Sequence, residues 1–319
     1  MSDKTNKITC IGSGTIGSGW ATAFLMKNCN VCLYDVSPEQ LESSKKLILS
    51  NLKLLEDKQV FENRSMGEIF ENITFTTDFE EAVKDSRFIQ ESGPENYEIK
   101  KRILADVDLY APEDAIFASS TSGLLITKIA EDSSHPERCI GAHPYNPPHL
   151  IPLVEITKGE KTSRDIVDKA FSFYTSIGKE PVMLNKESLG FIGNRLSFAL
   201  YRELITMVIN DCCSVEDIDK VVTYGIGMRW AILGPAMLYD LGAGDAGIRG
   251  MSKLDTTLNM VFKDLSNLNH MPKVWYDVAE KGLESEKENF PDFIGKTRPE
   301  IAKFRDNMLV EVLKLHKKI

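Results

Sequence analysis

Close to its start the chain carries Gly12-Ser13-Gly14-Thr15-Ile16-Gly17, and the residues on either side restrict what this stretch can be. The apolar run Ile8–Ile11 reads as a strand before it, and Ile16–Lys27 reads as a helix after it. A second strand, Val31–Tyr34, ends at Asp35, 23 residues beyond Gly12. Strand, glycine turn, helix, strand and terminal acid, in that order, form a dinucleotide-binding βαβ unit. Gly12 permits the tight turn, Gly14 lets the backbone approach a pyrophosphate, and Gly17 lets the helix lie close to the sheet. The first helical residues, Thr15 and Ile16, offer free N–H groups and a positive dipole end to phosphates. A carboxylate at Asp35 accepts hydrogen bonds from a ribose diol and repels a 2′-phosphate, and no arginine follows it, so the expected cofactor is NAD rather than NADP. An FAD site would call for further strands in the second half, and none is legible there.

A chain of 319 residues is long enough for two domains. Its 42% apolar and 27% charged residues are those of a globular protein. The formal charge of −9 disfavours binding to nucleic acid, which needs a basic surface. No run is apolar enough to span a bilayer and no signal core opens the chain, so a cytoplasmic protein without membrane contact is expected. Cys29 and Cys32 have C-x-x-C spacing but lack a second ligand pair, and Cys32 lies inside a strand-like run. No metal site is expected, only buried thiols in a reducing compartment.

Short β-branched runs alternate with helical stretches through the first half, which predicts a parallel sheet with crossover helices. Further strands are expected at Ile73–Phe75, Phe88–Gln90, Ile116–Ala118, Cys139–Ala142, Leu153–Ile156 and Val182–Leu184. Ser37-Pro38-Glu39-Gln40 opens a long charged helix reaching about Glu56. A polar turn, Lys58–Gly67, and a short helix complete a protruding hairpin. From about Leu189 the strand signals stop. Helices are expected at Phe191–Asn210, after Ser214, after Gly234-Pro235, and at Ile301–Leu315. Leu196, Leu200, Leu204 and Met207 or Val208 form one helical stripe, and Phe304, Met308, Leu309 and Leu313 another, both assigned to core packing. The fold class is therefore an α/β Rossmann-type domain, residues 1–188, followed by an all-α domain, residues 189–319.

Of five histidines, His143 stands out. It ends the apolar run Cys139–Ala142 and precedes Pro144-Tyr145-Asn146-Pro147-Pro148, which places it at the carboxyl end of a strand, where ligands bind in open α/β sheets. Glu155 lies inside another apolar run, where an acid needs a partner. A His–Glu pair answers both: the acid orients the imidazole and stabilises its protonated form.

These residues, with Ser119-Ser120-Thr121-Ser122, Gly190-Phe191-Ile192-Gly193-Asn194-Arg195, Gly225-Ile226-Gly227 and Gly234-Pro235, resemble the L-3-hydroxyacyl-CoA dehydrogenase family along nearly the whole chain. The resemblance implies a catalytic His143–Glu155 dyad, with Ser122 and Asn194 assisting around the substrate oxygen. It also implies cofactor contacts from Glu95 and Lys100. Structural alternatives for the two helpers are that Ser122 and Asn194 only cap helices. His143 would take the hydroxyl proton while the nicotinamide takes a hydride. The dyad argues against the β-hydroxyacid dehydrogenases that use a lysine instead, and against a purely structural, crystallin-like role.

Within the family the chain looks closer to the branch of lambda-crystallin (L-gulonate 3-dehydrogenase) and L-carnitine dehydrogenase, on His143-Pro144, Asn146-Pro147-Pro148 and Gly227-Met228-Arg229-Trp230-Ala231. A guanidinium matches a carboxylate bidentately, so Arg229 is expected to bind a free substrate carboxylate; a structural salt bridge is the alternative. The expected reaction is oxidation of the 3-hydroxyl of a small L-3-hydroxy acid. A CoA thioester of fatty acid metabolism is the alternative, because the hairpin at residues 38–72, which contacts CoA in the acyl-CoA enzymes, is retained. By the same resemblance the protein is expected to be a homodimer.

Overall fold

The computed structural model describes residues 7–61 and 64–319, so residues 62 and 63 of the expected polar turn lie outside the described residues. The chain divides into two compact units, residues 1–194 with 305–319, and residues 195–304. The expected boundary after residue 188 differs from this division at both ends. The first unit keeps the segment through Asn194 and regains the last fifteen residues.

The first unit is built on one eight-stranded sheet: β1 (Lys7–Ile11), β2 (Asn30–Tyr34), β3 (Ile73–Thr76), β4 (Phe88–Glu91), β5 (Ile116–Ser119), β6 (Cys139–Pro144), β7 (Leu153–Lys158) and β8 (Glu180–Met183). Their order is β3-β2-β1-β4-β5-β6-β7-β8. The first six run parallel, β7 runs antiparallel to β6, and β8 parallel to β7. All eight expected strands are present, the last shifted toward its N-terminus. Strands β4, β5 and β6 are buried throughout, as expected of strands covered on both faces.

Seven helices cover this sheet: α1 (Thr15–Met26), α2 (Pro38–Asp57), α3 (Met66–Phe70), α4 (Phe79–Val83), α5 (Tyr97–Tyr110), α6 (Ile126–Ile129) and α7 (Arg164–Ser176). Ser37 caps α2 by accepting from the Gln40 amide, with Pro38 at the first position, as the sequence implies. One core joins α1, α2 and α7 to the sheet through Trp20, Phe24, Ile48, Leu52 and Tyr174. A second core joins α4, α5 and α6 through Val83, Leu104, Val107 and Ile129. The end of the closing helix, Arg298–Leu315, buries Val310 and Leu313 against Leu55 and Leu150. Within the expected stripe there, Leu313 is buried and Met308 is exposed, so the buried face is turned toward Val310.

The second unit is helical. The long helix α8 (Gly193–Ile209) leads into it. Ser214 opens the next helix through a capping box with Asp217, and Gly234-Pro235 opens the helix Pro235–Gly242. Its core is small: Ile205, Val215 and Trp275 are buried, and the Trp275 Nε1–H donates to the Tyr201 hydroxyl at 2.8 Å. The assignment of the α8 stripe to core packing holds in part, since Leu204 and Val208 lie against this core. Ile205 is the one fully buried residue of α8, while Leu196 is 64% exposed.

Two loops of the first unit, before β7 and before β8, bring together two buried basic groups, His149 and Lys179. Lys179 Nζ lies 5.2 Å from the Trp20 ring centroid and donates to the carbonyls of Pro148 and Ile151. Neither ring nitrogen of the adjacent, buried His149 meets a protein partner. Burial, with the charges of Lys179 and Arg305, pushes His149 down to about 3. Its ordinary value is about 6.5, so His149 contributes stability that is complete above that pH and is lost as pH falls toward 3. Urea unfolding of the protein and of His149→Leu across this range should show the variant losing less stability with acid, with the gap closing by up to about 1.4 kcal/mol per pH unit. Parallel curves would contradict a neutral, buried His149.

Candidate active site

The parallel strands deliver the chemistry-bearing residues to one edge. Gly12 follows β1, Asp35 follows β2, Ser92 follows β4, Ser120–Ser122 follow β5, and His143 lies near the end of β6. The crevice between β1 and β4 is where the strand order reverses, the position of ligand sites in such sheets.

At the glycine turn, Gly12 has φ +89°, and a Cβ there would lie 2.8 Å from the Ser92 carbonyl oxygen. A Cβ on Gly17 would lie 1.8 Å from the Gly12 carbonyl oxygen, so α1 approaches the turn as closely as only glycine allows. By contrast the space beside Gly14 is open. No side chain caps α1, which leaves the amides of Thr15 and Ile16 facing that space. The Asp35 carboxylate accepts from the Ser13 amide and hydroxyl, both at 2.8 Å, and from the Ser37 amide at 3.1 Å. These bonds fix it against the turn with lone pairs to spare. The cradle therefore fits a dinucleotide with a free ribose diol.

The dyad follows from sheet register. In the antiparallel β6–β7 ladder His143 is paired directly with Glu155, so both side chains project from the same face. His143 Nδ1 and Glu155 Oε2 are 2.9 Å apart, with both residues buried. The carboxylate can only accept, so Nδ1 carries the hydrogen and Nε2 is left with its lone pair. The imidazole stacks on the Phe191 ring at 5.2 Å and meets the Tyr145 ring edge-on at 5.5 Å. Phe191 takes a left-handed backbone conformation, φ +53°, and the amides that follow it turn toward Glu155. Glu155 Oε1 accepts from Ile192 at 2.8 Å and from Gly193 at 2.9 Å. Burial pushes the Glu155 carboxyl up, but the bonds from His143, Gly193 and Ile192 outweigh it and hold the group below its ordinary range.

A second cluster gathers around Glu95. Its Oε1 accepts from the Thr121 hydroxyl at 2.7 Å and from the amides of Ser122 and Gly123 at 2.8 and 3.0 Å. Asn194 Nδ2 donates to the Ser122 carbonyl at 3.1 Å. Adjacent residues at the start of α8 thus tie the two clusters together: Gly193 to Glu155, and Asn194 to Ser122. Neither helper caps a helix, since Leu125 stands at the cap of α6 and Glu155 receives the first amides of α8. Lys100 is buried, and its ammonium contacts both Glu91 oxygens at 2.8 and 2.9 Å and the Gly93 carbonyl at 3.2 Å; Glu95 is 3.8 Å away. Glu91 was missed by the sequence reading. The signal was available: like Glu155 it is an acid in an apolar strand, and so it needs a partner.

The comparisons decide the family. Residues 7–188 match the NAD binding domain of 3-hydroxyacyl-CoA dehydrogenase, and residues 190–289 match its C-terminal domain. The chain belongs to the 3-hydroxyacyl-CoA dehydrogenase family. It is an NAD-dependent dehydrogenase acting on a CH–OH group. Among its relatives, an L-carnitine dehydrogenase of Oceanobacillus iheyensis is 36% identical over 97% of this chain and 97% of that protein. Another, of Streptomyces griseus subsp. griseus, is 34% identical over 98% of this chain and 90% of that protein. The crystal structure of 5-formyl-3-hydroxy-2-methylpyridine 4-carboxylic acid 5-dehydrogenase, an NAD+-dependent dismutase, superposes with a TM-score of 0.79 at 30% identity, covering 98% of this chain and 97% of that one.

In this family member, Glu155→Gln keeps an oxygen for the α8 amides but removes the charge facing His143. It should lower kcat by about 10²–10⁴-fold while leaving the Kd for NADH within about twofold. Glu155→Ala should in addition lose about 1–3 kcal/mol of stability, because the amides lose their acceptor. Stopped-flow kinetics and urea unfolding of the two variants check this. Equal turnover in Glu155→Gln and the parent would contradict it.

Proposed function

We propose that the protein oxidises the 3-hydroxyl of a small L-3-hydroxy acid bearing a free carboxylate, with L-carnitine the first substrate to test and L-gulonate the second. The observation that carries this reading is the buried His143–Glu155 dyad, with its open Nε2, in a chain similar over its length to enzymes named for L-carnitine. The structural relative is likewise named for a carboxylic acid.

In this mechanism His143 Nε2 accepts the hydroxyl proton as the carbon–oxygen double bond forms, and Glu155 stabilises the resulting imidazolium. NAD supplies the acceptor for the hydride leaving the same carbon. Ser122 and Asn194 bind the substrate oxygen, and Glu95 and Lys100 contact the cofactor together with Gly12, Gly14, Thr15, Ile16, Gly17 and Asp35. Arg229 holds the carboxylate. Its side chain is exposed on the short helix Gly227–Trp230 and forms no ion pair among the described residues, which favours a ligand role over a structural salt bridge. The partition at residue 188 is functional in this reading: cofactor before it, substrate and dimer contacts after it.

The same reading makes the protein a homodimer. In the second unit and the helix leading to it, Phe198, Met237, Leu241, Met260 and Phe262 are all more than half exposed. So much apolar surface in one unit marks an interaction site, and a second copy is the partner we assign. Sedimentation should give twice the chain mass, with Leu241→Glu shifting it toward the monomer. A monomeric parent at micromolar concentration would contradict the assignment. Among the described residues no single helix is long and apolar enough to cross a membrane; a cytoplasmic location is part of this proposal.

Spectrophotometric assays of NADH formation, with free L-3-hydroxy acids and their CoA thioesters side by side, test the substrate. His143→Ala should abolish turnover with NAD affinity nearly intact. Arg229→Ala should raise KM for the free acid about tenfold to a thousandfold, as expected for loss of a charged contact. Turnover of thioesters alone would favour an L-3-hydroxyacyl-CoA dehydrogenase of fatty acid metabolism and end the carboxylate assignment.

A further inference from the structure

Behind the crevice between β1 and β4, a chain of buried polar groups fixes the direction of a hydrogen bond. Ser120 Oγ receives the Trp20 Nε1–H at 3.1 Å and the Gln90 Nε2–H at 2.9 Å. An indole N–H can only donate. The Gln90 amide is oriented from both ends. Its Nε2 also faces the Ala118 carbonyl at 3.3 Å, and its Oε1 accepts from the Tyr174 hydroxyl at 2.5 Å. Burial pushes the Tyr174 phenol well above its ordinary value, so it stays a protonated donor. Trp20, Gln90 and Tyr174 are fully buried, and none can turn to solvent instead.

A hydroxyl oxygen has two acceptor positions, and both of Ser120's are filled. The remaining contact, 2.9 Å between Ser120 Oγ and Ser92 Oγ, must therefore carry the Ser120 proton toward Ser92. Ser92 accepts it, and its own O–H is directed elsewhere, with no receiving group among the described residues. Ser92 is half-buried and immediately follows β4. Its Cβ is 3.7 Å from where a Cβ on Gly17 would stand, and its carbonyl closes on Gly12. The unassigned donor thus lies at the glycine turn, beside the first turn of α1.

We propose that Ser92 is a dinucleotide-binding residue. Its hydroxyl donates to a phosphate or ribose oxygen of NAD, and the Trp20–Ser120–Gln90–Tyr174 chain sets the direction of that bond. The assignment rests on the glycine turn being the NAD site, and the test keeps the two separable.

Fluorescence titration with NADH, and calorimetry with ADP-ribose, would compare the parent with Ser92→Ala. The expected result is a rise of about 3–10-fold in both Kd values, the weight of one hydrogen bond. A role confined to accepting from Ser120 would lower the melting temperature and leave both Kd values unchanged. In the parent itself, NADH should move the ¹⁵N–¹H indole resonance of Trp20, which is two hydrogen bonds from Ser92 and three from the ligand. That shift should shrink in Ser92→Ala. A parent that binds NADH without moving the Trp20 resonance, or a variant binding within twofold of the parent, overturns the role of Ser92 and leaves the NAD site standing. A parent that does not bind NADH overturns both.

Discussion

Glu155 is the carboxylate on which the site depends. One oxygen takes the Nδ1 hydrogen of His143, and the other takes the amides of Ile192 and Gly193. The first bond selects the tautomer that leaves Nε2 able to receive a proton. The second anchors the start of α8, and through Asn194 it draws Ser122 and Glu95 into register. A buried acid without these partners would be costly; with them its charge is held beside the imidazole. Sheet topology makes this possible. A sixth parallel strand continued by an antiparallel seventh puts residues twelve apart in sequence directly opposite one another.

Much of the first unit is legible in sequence because its signals are local. β-Branched runs mark the strands, Ser37-Pro38 marks the start of a helix, and the glycine turn marks the crevice. His143 and Glu155 could each be singled out by context, one at a strand end and one inside an apolar run. Their opposition is not local, since nothing in either segment states that β7 reverses direction. The Glu91–Lys100 pair escaped for a similar reason. Lys100 is singled out in sequence only through the family resemblance, and its partner Glu91 becomes visible once the fold places Lys100 against the end of β4. The return of the chain's end to the first unit is also non-local, because the contacts of Val310 and Leu313 are with Leu55 and Leu150, far away in sequence.

The second unit is where the sequence pattern was most misleading. A helical stripe such as Leu196–Leu200–Leu204 says that a face is to be covered, but not by what. In this unit three residues form the buried centre, and large apolar side chains remain outside it. Periodicity cannot distinguish a core from an interface, since both remove the same surface from water. Likewise, an arginine such as Arg229 has the same sequence signature whether it faces a ligand or solvent.

The most direct measurement of the central claim is the protonation pattern of the His143 ring, read by ¹⁵N NMR of histidine-labelled protein with Glu155→Gln for assignment. The geometry predicts that the neutral ring carries its hydrogen on Nδ1, bonded to Glu155, and leaves Nε2 free. A ring carrying its hydrogen on Nε2, or one unaffected by loss of the Glu155 charge, would contradict the account.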